Sequence, residues 1–222
     1  NRRRRITLFT DGACEGNGRR GARGGMGVHF PDGELDDISV PFEDNCPTNQ
    51  RTELAAIQIA LEAVDARFGL ERVVVRIYTD SMYSINCLTR WVSGWKDNGW
   101  LTQKGTPVAN RDYIEPISEL LERGDVEFRH VSAHTGGDDR YSRGNHVADR
   151  LGVAGAAASP EREETPPRRR APRSQAATAS RGRSPKPEDS EEITVILVPR
   201  SAREDRDRDR TSIRRPSDGR SG

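Results

Sequence analysis

Cysteine is scarce in this chain, with Cys14, Cys46 and Cys87 the only three among 222 residues. They are odd in number, far apart and without a C-x-x-C pair, which excludes a disulfide framework and leaves no signature of a zinc site. Long apolar runs are missing too. No stretch approaches the ~18 residues that a membrane-spanning helix needs. The opening Asn1-Arg2-Arg3-Arg4-Arg5 lacks the apolar stretch of a secretory signal. An intracellular, reduced protein is therefore expected, neither secreted nor in a membrane. An initiating Met is absent as well, so processing or a fragment is expected. Apolar residues amount to only 32%, matched by 32% charged, too polar an average for a uniformly packed globule.

What apolar text there is lies in residues 1–155, where Ile6 to Phe9, Val73-Val74-Val75 and Val126 to Val131 alternate with amphipathic stretches. From Ala156 to the end the residues are mainly Ala, Ser, Pro, Arg and Glu, with 16 Lys and Arg against 12 Asp and Glu. Such text cannot bury a core and predicts a disordered tail over 156–222. The body is slightly acidic, with 20 basic against 23 acidic residues. That balance is odd for a nucleic-acid binder, unless carboxylates are gathered to hold cations.

Ile6 to Thr10 reads as a strand, followed by a Gly-rich turn from Gly12 to Gly25 and a second strand near Met26 to Phe30, together a hairpin. A third strand is expected near Asp37 to Val40. Thr48-Asn49 then caps a helix whose Leu54, Ile57, Leu61 and Val64 recur at steps of three or four. Val73 to Tyr78 has the continuous apolar character of a strand buried on both faces. Helices over Met82–Val92 and Arg111–Arg123, a strand over Val126–Val131 and a last helix over Asn145–Ala157 complete the order β-β-β-α-β-α-α-β-α. That order predicts an α/β fold, a mixed sheet with helices on its faces.

Four carboxylates fall at strand ends or in helices of this scheme: Asp11, Glu53, Asp80 and Asp149. Any one alone is more simply a cap or a solvated residue. Neighbouring strand ends would gather them at one rim, where their repulsion is relieved by protonation or by bound cations. Hard divalent ions take oxygen ligands and keep waters, leaving room for a phosphate. Two such ions about 4 Å apart can activate a water and stabilise the leaving oxygen of an in-line displacement.

The text around each acid carries more information than the acid itself. Thr10-Asp11-Gly12-Ala13-Cys14 with Asn17-Gly18, Thr48-Asn49-Gln50-Arg51-Thr52-Glu53-Leu54, Tyr78-Thr79-Asp80-Ser81, His130 to Gly136 and Gly144 to Asp149 resemble, in order, the blocks of type 1 ribonuclease H. The resemblance covers residues 5–155, and Trp91 to Trp100 looks like that family's basic protrusion. It implies a ribonuclease H-like mixed five-stranded sheet with helices on both faces. It also implies a two-metal endonuclease, using Mg²⁺ with Mn²⁺ as a substitute, that cuts the RNA strand of RNA/DNA hybrids and leaves 5′-phosphate and 3′-hydroxyl ends. Asp11, Glu53, Asp80 and Asp149 would be the metal ligands, with Asp11 bridging both ions. His134 would serve proton transfer or product release; His29, His130 and His146 read as structural. A monomer in the nucleus or another DNA-containing compartment fits this reading. The alternatives are a non-catalytic hybrid-binding module and a nuclease detached from a reverse transcriptase.

Selecting a hybrid requires sensing 2′-hydroxyls, for which Asn and Gln supply donors and acceptors. Residues matching Asn17, Asn49 and Gln50 contact both strands in the family. Asn17 also suits a turn and Asn49 a helix cap. Trp91 and Trp95 stand one helical turn apart with Lys96 and Lys104 nearby. Trp91 is expected partly in the core and Trp95 toward DNA. Thr48, Tyr83, Thr102 and Asn110 match positions along the DNA channel or phosphate pocket. Two departures from the family bear on grip: Cys46-Pro47 stands where polar or basic residues are usual, and the segment after His134 is longer. Gly16-Asn17-Gly18-Arg19-Arg20-Gly21 fits GxGxxG, but a second strand follows instead of the helix a dinucleotide site needs. Finally, the segment 191–198 resembles motifs that add a strand to SUMO-like proteins. An extra strand on the domain's own sheet is the simpler reading for its apolar part, 193–198.

Overall fold

Alternation along the first strand sets the two sides of the sheet. In the computed structural model, which describes residues 3–19, 21–45, 47–132, 139–159 and 195–197, strand β1 spans Arg4–Glu15. Ile6 and Leu8 enter the main core, whereas Phe9 joins Tyr78, Val131 and Ala148 on the other side, as a two-residue period requires. Strand β2 (Arg23–His29) pairs antiparallel with β1, and β3 (Ile38–Phe42) antiparallel with β2. Strands β4 (Val73–Thr79) and β5 (Asp125–His130) continue the sheet in parallel from β1. The β1–β4 register pairs Phe9 with Tyr78. Two residues further on, Asp11 and Asp80 therefore end up on the same rim.

Helices cover both faces, as expected. Helix α1 (Asn49–Phe68) is capped by Thr48, whose side chain accepts from the Arg51 amide. It buries Leu54, Ile57, Leu61 and Val64 in the main core, beside α4 (Arg111–Arg123). Between them the chain forms α2 (Met82–Asn86), one π-helical turn at Cys87–Trp91 and α3 (Val92–Asp97). Sequence periodicity reads this stretch as a single helix over 82–92. A π turn widens the repeat locally without changing residue types, so the apolar pattern does not reveal it.

Helix α5 (Arg140–Ala157) lies across β1, β2 and β3 on the opposite face. It starts five residues before the expected Asn145. Asp139 caps it by accepting from the Tyr141 and Ser142 amides, inside polar text that reads as loop. Its close approach depends on residues without side chains. A Cβ at Gly25 would fall 2.0 Å from the Ala156 amide nitrogen, and one at Gly27 2.1 Å from the Ala148 carbonyl oxygen. The Gly-rich β1–β2 region is thus a bed for a helix.

The five expected strands are all present and a sixth joins them, in the order β3-β2-β1-β4-β5-β6. The sixth, β6 (Val195–Leu197), comes from the tail and pairs antiparallel with β5, Phe128 facing Ile196. Within the tail expected without structure over 156–222, residues 195–197 thus form a strand, while the last helix ends at Ala157, where it was expected to end. Of the two readings of the 193–198 segment, the extra strand is the one seen over 195–197. Without it β5 would present an unpaired row of backbone donors and acceptors. Residues 160–194 and 198–222 of the tail, together with Cys46 and His134, lie outside the described residues. Among the described residues no helix is long and apolar enough to cross a membrane.

Candidate active site

Three elements and one loop bring the four acids together. Asp11 lies near the end of β1, Asp80 directly follows β4, Glu53 stands in the second turn of α1 and Asp149 in the middle of α5. All four are partly buried. Gly12 lets α1 come close, since a Cβ there would sit 2.2 Å from the Glu53 amide nitrogen. On the other face Gly144 lies against the Phe9 ring, where a Cβ would fall 2.4 Å from it. A helix that tight to the sheet carries Asp149 to the rim.

Electrostatics confirms that the acids sense one another. Burial, followed by the charges of Asp80 and Asp149, lifts the Asp11 carboxyl from 3.8 to about 7. Burial lifts Glu53 from 4.5 to about 7, with Asp80 adding to the rise, while a hydrogen bond from Ser81 opposes it. The Ser81 hydroxyl donates to Glu53 Oε2 and also accepts from the Ser84 amide at the start of α2. Ser81 thereby ties the residue after Asp80 to Glu53. The Thr79-Asp80-Ser81 text carries that signal, but its serine is easily passed over as a plain helix cap.

Carboxylates that resist ionisation because they are buried and, secondly, because they lie near one another suit a divalent cation, which offsets both. Among the described residues no three or more His, Cys, Asp or Glu side chains are placed so that they could together hold a metal ion as they stand. The acids form an open rim instead. An all-oxygen set of donors suits a hard divalent cation better than a closed zinc centre.

A polar strip lies at the entrance to α1. Asn17 Oδ1 accepts from the Asn49 amide at 3.0 Å, and the Gly18 amide donates to the Pro47 carbonyl at 2.8 Å. Asn17 is thus both turn former and bridge, and Asn49 and Gln50 remain exposed beside it. A second cluster was not foreseen from sequence. Arg51 pairs with Asp44 (2.7 Å) and Asp112, lies over the Tyr113 ring and donates to Asn110 Oδ1 at 3.3 Å. Asn110 Nδ2 in turn donates to the Tyr83 hydroxyl at 2.8 Å. Asn110 and Tyr83 are therefore held by each other and by Arg51, with Asn110 in a left-handed conformation (φ 58°).

In the Trp91–Trp100 insert the expected roles of two tryptophans are reversed. Trp91 is 44% exposed, whereas Trp95 is half-buried and packed against the main core. The π turn ends at Trp91 and shifts the helical register from Val92 onward, which accounts for the exchange. Lys96 forms an ion pair with Glu122 at 2.6 Å, so its charge is shared. Lys104 is exposed, in a turn where Thr102 Oγ1 accepts from the Lys104 and Thr106 amides. Thr102 is accordingly occupied in shaping that turn. Among the histidines, His130 Nε2 lies 3.2 Å from the Asp80 carbonyl oxygen and His29 pairs with Asp37 at 2.8 Å, both structural placements.

Comparison with known proteins points in one direction. A family model described as RNase H matches residues 3–157. A probable ribonuclease H of Acanthamoeba polyphaga mimivirus is 48% identical over 141 residues, 64% of this chain and 62% of that protein. Ribonuclease H1 of Homo sapiens is 37% identical over 151 residues, 68% of this chain and 50% of that protein. The chain thus spans less than two thirds of either relative. The crystal structure of LC9-RNase H1, described as a type 1 RNase H with the type 2 active-site motif, aligns with a TM-score of 0.56 at 28% identity, covering 71% of this chain and 74% of that one.

Proposed function

Because this chain is a type 1 member of the ribonuclease H family, we propose that it hydrolyses the RNA strand of RNA/DNA hybrids with two divalent metal ions, Mg²⁺ first and Mn²⁺ as a substitute. The observation that carries the reading is the gathering of four acids at one rim, where burial and then the charges of Asp80 and Asp149 raise Asp11, and burial with the charge of Asp80 raises Glu53. Asp11, Glu53, Asp80 and Asp149 would hold the ions. The ions would supply an activated water and charge stabilisation on the leaving oxygen, giving 5′-phosphate and 3′-hydroxyl ends.

The remaining roles fall to this chain's own side chains. Asn17, Asn49 and Gln50 line the polar strip where a 2′-hydroxyl can be both donated to and accepted from. Exposed Trp91 offers an aromatic face to the DNA strand, and Lys104 a charge to its phosphates. Tyr83 and Asn110 act as a fixed pair, and Thr48 and Thr102 as shapers of their turns. His134 completes the set in proton transfer or product release. The chain works as a monomer inside a DNA-containing compartment. Segment 191–198 could donate a strand to a SUMO-like partner only by leaving β5, since Val195–Leu197 is paired there.

The test is incubation of the full chain with labelled RNA/DNA hybrid, duplex RNA and duplex DNA, with Mg²⁺ or with EDTA. Cutting confined to the RNA of the hybrid and stopped by EDTA is expected. Binding of hybrid without any cutting under Mg²⁺ would overturn the reading in favour of a binding module.

The raised acids also predict how stability depends on pH. With folded values near 7 against 3.8 and 4.5, the folded state binds more protons than the unfolded one between pH 4 and 7. These groups' contribution is therefore full below about pH 4 and is lost as pH rises through 7. In EDTA the Tm should fall by on the order of 5 °C from pH 5 to pH 8, and Mg²⁺ should restore it at pH 8 far more than at pH 5. Calorimetric scans at the two pH values decide this; equal Mg²⁺ effects at both would refute it.

A further inference from the structure

One residue beside the acids is unexplained by its surroundings. Asn145 precedes Asp149 by one turn of α5, so the two share a helix face. It is only 5% exposed. Its Nδ2 lies 3.5 Å from Asp80 Oδ2, and its Oδ1 is buried without a hydrogen-bond partner among the described residues. The orientation follows from charge, since only the amide donor can face a carboxylate. Buried polar groups are nearly always satisfied, and an orphan marks a place where a water or ion completes the bonding. The helix cannot back away to relieve this, because Gly144 lies against Phe9 and Gly152 against the β1 backbone.

We propose that Asn145 is a positioning residue of the metal site, holding Asp80 through Nδ2 and accepting, at Oδ1, a hydrogen from a water in the cation's shell. The inference rests on the metal-dependent nuclease reading and assigns a residue within it. The residue type fits the task. Mg²⁺ keeps several waters, and a cation-bound water is a strong donor that needs a neutral or anionic acceptor. A fifth carboxylate at this place would add its charge to those of Asp80 and Asp149 beside the buried Asp11. An amide supplies the acceptor without the charge, and its second end orients the neighbouring ligand. Residues that orient ligands from outside the coordination shell contribute measurably to metal affinity.

Calorimetric titration of Mg²⁺ into the full chain without nucleic acid tests this, alongside thermal scans in EDTA and in Mg²⁺. Asn145→Ala should weaken Mg²⁺ binding roughly tenfold and shrink the Mg²⁺-induced rise in Tm. Its Tm in EDTA should match or exceed the parent's, because the variant no longer buries an unpaired amide. Asn145→Ser, with an oxygen too short to reach both partners, should show the same pattern. Parent-like Mg²⁺ affinity in both variants would overturn the assignment, as would a lower Tm in EDTA with affinity unchanged, the mark of a purely structural residue. A parent that binds no Mg²⁺ would overturn the nuclease reading itself and this assignment with it.

Discussion

Asp80→Asn should reduce cleavage of the hybrid's RNA by about three orders of magnitude or more while leaving the fold intact. The substitution keeps the shape of the side chain and removes its charge. Asp80 shares a rim with Asp11 through the β1–β4 register, and its charge is felt by both Asp11 and Glu53. Losing one anionic ligand removes several kcal/mol of charge stabilisation at the metal, and each 1.36 kcal/mol is tenfold in rate. A second readout separates this from misfolding. With the Asp80 charge gone, Asp11 and Glu53 should titrate lower in the metal-free protein, visible by carboxyl NMR. The variant should then melt above the parent at pH 8 in EDTA. Parent-level cutting by the variant would sink the proposed chemistry.

Gly12→Ala should be almost as damaging, through geometry alone. The added Cβ would fall 2.2 Å from the Glu53 amide nitrogen and 2.3 Å from the Thr52 carbonyl carbon, both backbone atoms that no rotamer change can move. Helix α1 must shift off β1. Overpacking of this kind costs about 1–3 kcal/mol, or roughly 2–12 °C in Tm for a domain of this size. Activity should fall further than stability, because Glu53 moves with the helix while Asp11 stays with the strand. Displacements of about 1 Å at reacting groups can cost on the order of a hundredfold in rate. Circular dichroism melts and hybrid cleavage on the same preparation provide the measurement. A variant that melts and cuts like the parent would show that α1 tolerates the shift.

Strand and helix assignments were legible wherever the burial pattern is simple. Ile6 to Phe9, Val73 to Tyr78 and the Leu54–Ile57–Leu61–Val64 stripe all form the elements their periods indicate. The four acids were legible through their neighbouring residues, not through spacing in the chain. What escaped depends on contacts between distant segments. The glycines of β2 look like loop text until α5 is placed on them. The π turn leaves no periodic trace, and so Trp91 and Trp95 exchange roles. Arg51 reads as one more basic residue until Asp44, Asn110 and Asp112, from other parts of the chain, converge on it. Asn145 was visible in the Gly144-Asn145 text, but only a buried, unpaired oxygen distinguishes it from a solvated helix residue.

The sixth strand has a consequence for synthesis. Val195–Leu197 is the last described segment of the chain, and 35 residues separate it from the end of the preceding described stretch at Ser159. A ribosome therefore releases the other described strands and helices well before β6. During that interval the nascent domain carries β5 as an open edge, the kind of surface through which neighbouring chains on one messenger stick together. The late strand takes over that edge, and a three-residue edge strand offers fewer unpaired backbone groups than the six-residue β5 it covers.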